Sequence, residues 1–533
     1  MTGAALALSL LLVIGLIGLI VANGLGLFWP REIVRLTLDD GSHLVGQVML
    51  REEVPREHAG PPSATTFRIQ LKQGNRDLYG SDFLWVDEAR IARREVPPDA
   101  VVIERNEWGN FHGFLEEVRE AGVTTARGPE EAWKAFEQLL PAVRTLQKRI
   151  HRIEKGEIGA INSAQEKIRL RLRVLESRGI REGPEVQSLA ARNQNLQEEY
   201  DARVKAVAGL RSELTAGLLV KAVGGLDKPG ETREKEIPLA ETVRMYRPNR
   251  LGTPAKIWFF LSKIVEFLWD DPRESNTEGG VFPAIFGTVL MVLLMSIVVT
   301  PMAILAAFYL REYARQGPLV SAVRIAVNNL AGVPSIVFGV FGVGFFIYMV
   351  GGTIDQLFFS DSLPDPTFGT GGILWAALTL ALLTSPVVIV ATEEGLAAIP
   401  GGVREASLAL GATKFETTWR VVLPAVMPSV LTGLILAMAR AIGEVAPLML
   451  TGVMKLAPAM PLDGTWPFIH LDRKFMHLGF HIYDVGFQAP NVDAARPMVF
   501  ATALLLVAIV VLLNFAAILL RNRLRKKYSW GAL

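Results

Sequence analysis

Cysteine is absent from this chain. That excludes disulfides, thiolate catalysis and cysteine-ligated metal sites, although it does not fix the compartment. An excess of one charge sign is also lacking. Lys and Arg number 55 against 53 Asp and Glu, a formal net charge of +2, so nothing at the whole-chain level points to nucleic acid. What the chain has in quantity is apolar residues, 50% of 533, gathered into long blocks. Mean hydropathy is positive. Length alone would suggest several domains, but the blocks point to a membrane protein.

Residues 4–28 are nearly uncharged and long enough to span a bilayer. The positive n-region of a cleaved signal peptide is missing and the run is too long for one, so a retained helix is expected. From residue 31 to about 106 the period changes to two. Val34, Leu36 and Leu38 alternate, Asp39-Asp40-Gly41 supplies a turn, and Leu44, Gly46, Val48 and Leu50 resume the alternation as a hairpin. Phe67, Ile69 and Leu71, with a turn at Gln73-Gly74-Asn75, suggest another. This stretch carries no chemical motif. From about Pro129 the pattern turns helical: Leu139, Val143, Leu146, Ile150 and Ile153, then, after a phase shift, Ile161, Ala164, Ile168, Leu172 and Leu175. A breaker at residues 179–184 is followed by Val186, Leu189, Leu196, Tyr200, Val204 and Val207, which reads as an antiparallel coiled-coil hairpin with solvated charged faces. Residues 221–277 read as a linker, with Pro229-Gly230 and Pro248-Asn249. Within it residues 257–269 are apolar and aromatic but too short to span, and are expected at the membrane interface.

Five more spanning runs follow, at 282–309, 325–350, 371–391, 426–450 and 498–520, so six helices are expected. The expected fold is all-α and polytopic, with an inserted outer domain. Its parts are a helix over 1–29, a β-rich extracytoplasmic module over 30–128, the hairpin over 129–217, the linker over 218–280 and a helical core over 281–528. Basic residues in short loops set the orientation. The tail Arg521-Asn522-Arg523-Leu524-Arg525-Lys526-Lys527 places the C-terminus inside, and counting back puts Arg311, Arg315, Arg324 and the Glu405 loop inside. The N-terminus then falls inside, and residues 30–280 outside with Asp355, Asp361 and Asp365.

Residues 405–424, EASLALGATKFETTWRVVLP, are too charged to cross a bilayer yet lie between runs that can. Gly411 can adopt the left-handed conformation that ends one short helix. Thr413 and Glu416 form a capping box that starts a second, which Pro424 is expected to terminate. A rigid helical elbow suits being pushed by a partner; the plain alternative is an ordinary amphipathic loop. In the fifth run Arg440 and Glu444 stand one turn apart, about 21 Å in from Val426 at 1.5 Å per residue. Ionisable groups at that depth face a water-filled path or each other, so a substrate-path site and a structural ion pair both fit. Gly332, Pro334, Gly339, Gly342 and Gly344 make the third run kinkable, with a small-residue face for which packing alone would be a sufficient explanation. His477 and His481 near Asp472 make a metal site conceivable, but loop histidines are usually polar surface and none is assigned.

The elbow, with Glu405-Ala406, Gly411, Leu423 and Pro424 at fixed offsets, resembles the EAA loop of ABC-importer permeases. Ser407 stands for the second Ala and Val421 for the Ile. LAGVPSIVFG at 330–339 and ARAIGEVAPL at 439–448 resemble phosphate importer permeases, and the Ala-Pro after the Glu the PstA type more than its PstC sister. The likeness covers about residues 278–528, and the outer domain goes beyond it. It implies a MetI-like permease subunit of the bacterial inner membrane, not an enzyme. It also implies a PstC-like partner permease, PstB-like ATPases and an extracytoplasmic phosphate-binding protein. In such a system Glu405, Ala406, Gly411, Leu423 and Pro424 would couple to the ATPase, and Arg440 and Glu444 would line the substrate path. The sequence holds no G-x-x-x-x-G-K-[ST], so no cofactor is expected on this chain and ATP belongs to a partner. A permease for another oxyanion, such as sulfate or molybdate, and a membrane-tethered envelope scaffold or sensor are the alternatives.

Overall fold

Two hydrophobic periods run through the chain, and each dominates its own compact unit. The computed structural model describes residues 2–53, 67–120, 122–214, 216–222, 233–464, 466–489 and 492–528. One unit comprises Phe28–Glu266 with Arg273–Glu278; the other comprises Met1–Leu27, Phe267–Pro272 and Gly279–Leu533.

After the apolar helix α1 (Thr2–Gly26), the alternating stretch forms β1 (Val34–Leu38) and β2 (His43–Glu53). They pair antiparallel as expected, with Gly41 at φ 78° in the turn. β3 (Phe67–Lys72) is followed by one helical turn, α2 (Arg76–Tyr79), so residues 73–75 lead into a helix and make no tight hairpin. β4 (Phe83–Asp87) and β5 (Ile91–Glu95) complete an antiparallel sheet of order β4-β3-β2-β1-β5 over Val34, Leu36, Leu38, Leu44, Ile69 and Leu71. Leu50 departs from the alternation. A bulge between Val48 and Leu50 shifts the register and leaves Leu50 exposed.

β6 (Ala100–Arg105), β7 (Phe111–Glu120) and β8 (Val123–Arg127) begin a second sheet. A helical hairpin then intervenes: α3 (Pro129–His151), a π-helical segment at Arg152–Ile158, α4 (Gly159–Ser177) and α5 (Pro184–Glu213). The expected phase shift falls on the π segment, where each turn takes in an extra residue. Cross-helix pairs run in opposite order, with Glu154–Arg211 at 2.7 Å, Glu157–Arg203 at 3.0 Å and Arg171–Glu185 at 2.7 Å, so the arms are antiparallel. Beyond the hairpin, β9 (Ala216–Ala222), β10 (Arg233–Pro238) and β11 (Thr242–Tyr246) return to the second sheet. Its order is β10-β9-β7-β6-β11, with β8 also on β7. The linker expected over 218–280 is thus corrected: Ile237, Leu239 and Met245 bury in one core with Val101, Phe111 and Val118. Asn249 is likewise no linker residue. Its amide bonds the backbone N–H and C=O of Ile33 at 3.0 and 2.9 Å. Pro229-Gly230 lies outside the described residues. α6 (Thr253–Trp269) and the short pair β12 (Pro272–Arg273) and β13 (Glu278–Gly279) follow.

The rest is helical. α7 (Phe282–Phe308) ends in a π turn at Tyr309–Tyr313 and is followed by α8 (Pro318–Leu330). α9 (Ser335–Phe341) continues through a π segment, Gly342–Gly351, into α10 (Gly352–Phe358). α11 (Ile373–Ala398) precedes the short α12 (Gly401–Ala409) and α13 (Lys414–Thr417). A π turn at Thr418–Val422 joins α13 to α14 (Leu423–Gly443). α15 (Ala446–Thr451), α16 (Leu478–Tyr483) and α17 (Val492–Tyr528) complete the chain. α11 is the central helix, packed against α7 and α14, while α17 packs against α1 and α14.

Among the described residues six stretches are long and apolar enough to cross a membrane: Gly3–Gly26, Phe282–Tyr313, Ser335–Phe358, Ile373–Ala398, Lys414–Gly443 and Ala495–Leu524. The chain therefore has the make-up of a polytopic membrane protein with a sheet-rich N-terminal module, and is not all-α. Two expected spans are corrected by proline. Proline has no N–H to give the carbonyl four residues back, which is Leu330 for Pro334 and Gly443 for Pro447. The third span accordingly starts at Ser335, leaving α8 separate, and the fifth ends at Gly443. Two of the third run's glycines are needed for packing, while Gly344 has open space around it. A Cβ on Gly339 would sit 2.8 Å from Pro447, and one on Gly342 2.4 Å from Thr379.

Candidate functional site

The elbow takes the form its sequence dictates, with one exception. α12 ends where Gly411 sits at φ 87°, its N–H bonded to the Leu408 carbonyl at 3.0 Å. Thr413 then accepts the Glu416 N–H at 3.2 Å while the Glu416 carboxylate accepts the Thr413 N–H at 3.0 Å, the expected capping box. The Ser407 and Thr417 hydroxyls meet at 2.9 Å and tie α12 to α13. The exception is Pro424, which does not end the second helix. The carbonyl it leaves without an N–H is that of Arg420, inside the π turn Thr418–Val422, so the helix widens there and runs on into α14.

Of the five residues assigned to coupling, Glu405, Ala406 and Gly411 lie together on the exposed elbow. Leu423 and Pro424 are half-buried in α14, and Leu423 packs on the helical core. The exposed surface carries more than those residues. Leu410 at the apex is 89% exposed, Phe415 and Trp419 stack at 6.3 Å, and Leu408 is also open to solvent.

Sequence reasoning missed what fastens the elbow. Arg404 pairs with Glu312 at 2.9 Å and donates to the carbonyls of Leu396 and Ile399, both at 2.9 Å. Lys414 donates to the Glu312 carbonyl. One guanidinium thereby joins α12 to the last turn of α11 and to the π turn that ends α7. Arg324 adds a second tie, to Glu393 at 3.3 Å and to the Leu310 carbonyl at 3.2 Å. Arg324 was visible in the sequence as a topology cue, and nothing local marked its partner.

Arg440 and Glu444 do meet, Nε to Oε1 at 3.4 Å. They are not one turn apart on a single helix, as the spacing suggested. α14 ends at Gly443, and Glu444 is extended, at φ −79° and ψ 131°. The pair therefore straddles a helix end, beside the break that leads to α15. Both side chains are partly accessible, at 35% and 18%. Among the described residues Glu444 is the one side chain bonded to Arg440.

His477 and His481 are corrected from surface to core, at 0% and 2% exposure. His477 caps α16 by accepting the Gly479 N–H at 3.1 Å, and burial pushes its pKa down to about 3. Among the described residues no cluster of three or more metal-ligating side chains occurs.

Residues 299–529 match the family described as binding-protein-dependent transport system inner membrane component. The phosphate transport system permease protein PstA 1 of Mycobacterium tuberculosis (strain CDC 1551 / Oshkosh) is 36% identical over 171 residues, 32% of this chain and 50% of that protein. PstA of Yersinia pestis is 32% identical over 206 residues, 37% of this chain and 64% of that protein. A probable PstA of Methanocaldococcus jannaschii is 31% identical over 189 residues, 35% of this chain and 60% of that protein. The chain thus spans from half to just under two thirds of the length of these relatives. Over residues 299–529 this chain is thus similar to inner membrane components of binding-protein-dependent transport systems, and the likeness read from its motifs, to permeases of the PstA type, is supported by these relatives.

Proposed function

We propose that this chain is the permease subunit of an ATP-driven importer of inorganic phosphate. The elbow carries the reading: a solvent-facing helical turn with an apolar apex, fastened through Arg404 to two long helices, is built to receive a push and pass it on. Because the sequence lacks a P-loop, the push comes from a partner ATPase of the PstB kind. A PstC-like second permease completes the path in a MetI-like arrangement, and an extracytoplasmic phosphate-binding protein delivers the substrate. In this reading the EAA-type elbow and both termini face the cytoplasm of a bacterial cell, and the sheet module with its coiled-coil hairpin faces outward.

Phosphate is favoured by the names of the relatives and by chemistry. The Arg440 guanidinium is a planar fork suited to an oxyanion, and its bond to Glu444 uses only Nε. Near neutral pH phosphate keeps an O–H that the Glu444 carboxylate can accept, whereas sulfate has none to offer. Uptake of phosphate and of sulfate in a strain deleted for this chain tests the reading. Loss of phosphate uptake alone is expected, and loss of sulfate uptake instead would reassign the substrate.

A further inference from the structure

The helix α6, Thr253–Trp269, is amphipathic in an unusual sense. Its inward face is held by charge: Lys263 pairs with Glu104 at 2.6 Å, and Glu266 with Arg244 at 2.9 Å and Arg273 at 2.6 Å. Its outward face is apolar. Trp258 is 75% exposed, and Ile257, Leu261, Val265 and Trp269 are exposed beside it, at the three- and four-residue spacing of one helical stripe. Charges buried beneath and a bare aromatic stripe above reverse the ordinary arrangement of a helix facing water.

The chain itself says at what level this stripe lies. α1 ends at Gly26, and Phe28 and Trp29, the next residues but one, pack their rings on Phe260 at 6.3 and 6.0 Å. At the far end of α6 the Phe267 carbonyl accepts the Val281 N–H at 2.8 Å, and Trp269 stacks on Phe282, which opens α7. Each end of α6 is therefore within a few residues of the mouth of a membrane-spanning helix. Tryptophan and apolar residues at such a boundary are what the headgroup–acyl border selects. We infer that α6 is a lipid-docked interfacial helix, seated with Trp258, Leu261 and Val265 in the outer leaflet. The inference rests on α1 and α7 crossing the bilayer.

Because the chain has no cysteine, single-site labelling needs no background removal. Trp258→Cys, Leu261→Cys and Val265→Cys, each carrying a nitroxide, would be made in the full chain and placed in vesicles of phosphatidylethanolamine and phosphatidylglycerol. Collision with oxygen, which enriches in lipid, is compared with collision with a water-soluble nickel chelate. Ile180→Cys, at the exposed tip of the helical hairpin, serves as the water reference, and Ile297→Cys, on the outside of α7, as the lipid reference. An oxygen-to-nickel ratio at 258, 261 and 265 several-fold above that at 180 is expected. A ratio equal to that at 180 overturns the inference, because the stripe is then in water. Shielding from both agents overturns it too, because a protein surface then covers the stripe. A ratio at 297 no higher than at 180 would remove the spanning reading itself, a distinguishable failure.

Discussion

At the scale of single residues, Arg440 is the cation we propose to meet an anion in the path. Arg440→Ala is expected to abolish phosphate uptake. Glu444→Gln is expected to slow phosphate and relax the rejection of sulfate when the delivery protein is bypassed, since an amide can still orient Arg440 and can donate to sulfate. Uptake of both labelled anions into vesicles checks this, and an unchanged rate with unchanged discrimination leaves only a structural pair. His112 gives a prediction of another kind. It is fully buried in the sheet module, and burial, reinforced by the positive charge of Lys72, pushes its pKa down to about 3. The unfolded chain therefore takes up this proton first. The stabilising contribution is complete above about pH 6.5 and is lost as pH falls toward 3, at about 1.4 kcal/mol per pH unit in between. Hydrogen exchange in β6 and β7 should accelerate between pH 7.5 and pH 5, by about 2 kcal/mol of local stability, after correction for intrinsic exchange. In His112→Asn, whose amide can still reach the Lys72 carbonyl that His112 bonds at 3.1 Å, most of that pH dependence should vanish. The Arg440–Glu444 pair was legible because the residues are only four apart in the sequence. The Arg404–Glu312 pair was not, because its partners lie 92 residues apart.

Among elements, the elbow tests whether shape or mere presence matters. Gly411 at φ 87° has open space where a Cβ would go, so a side chain there costs backbone strain alone, about 1–2 kcal/mol. Gly411→Asp is expected to misshape the turn and uncouple ATP hydrolysis from transport while the protein still inserts. Arg404→Ala should give the same uncoupling from the other direction, with the turn intact and its fastening to α7 and α11 gone. ATPase and transport rates of the assembled complex, measured together, check both; normal coupling in both variants removes the transmission role. The elbow was readable because its signals are local: a glycine, a capping box, fixed spacing. Helix ends were read less well. Proline means one thing just after a π turn, at Pro424, and another without one, at Pro334 and Pro447; the longer π segment Arg152–Ile158 shows as a phase shift in the apolar pattern, but the short one at Thr418–Val422 does not.

For the whole molecule, the six spans stand out because apolar length is a property of the sequence itself, whereas the second sheet was half hidden. β7 pairs with β8 and with β9, which are separated by the entire helical hairpin, and a pairing across that distance has no local signature. The unit Phe28–Glu266 has its own cores, so replacing it by a short flexible linker is expected to leave measurable phosphate uptake. Complete loss, with the shortened protein present and assembled with its partner, would make this unit part of the transport mechanism.

The hairpin leaves the sheet after β8 and re-enters at β9, and both strands are hydrogen-bonded to β7. Up to Val143, α3 still packs on the sheet, through Ala132 and Phe136 as well; past it, everything between the two strands is one loop to the sheet, however long. The two arms can thus be lengthened or shortened in step without altering a single strand pair. Seven residues added to each arm would move the tip outward by about 10 Å. Reach is in this sense a free parameter of the architecture, adjustable by insertion and deletion while the fold that anchors it stays fixed.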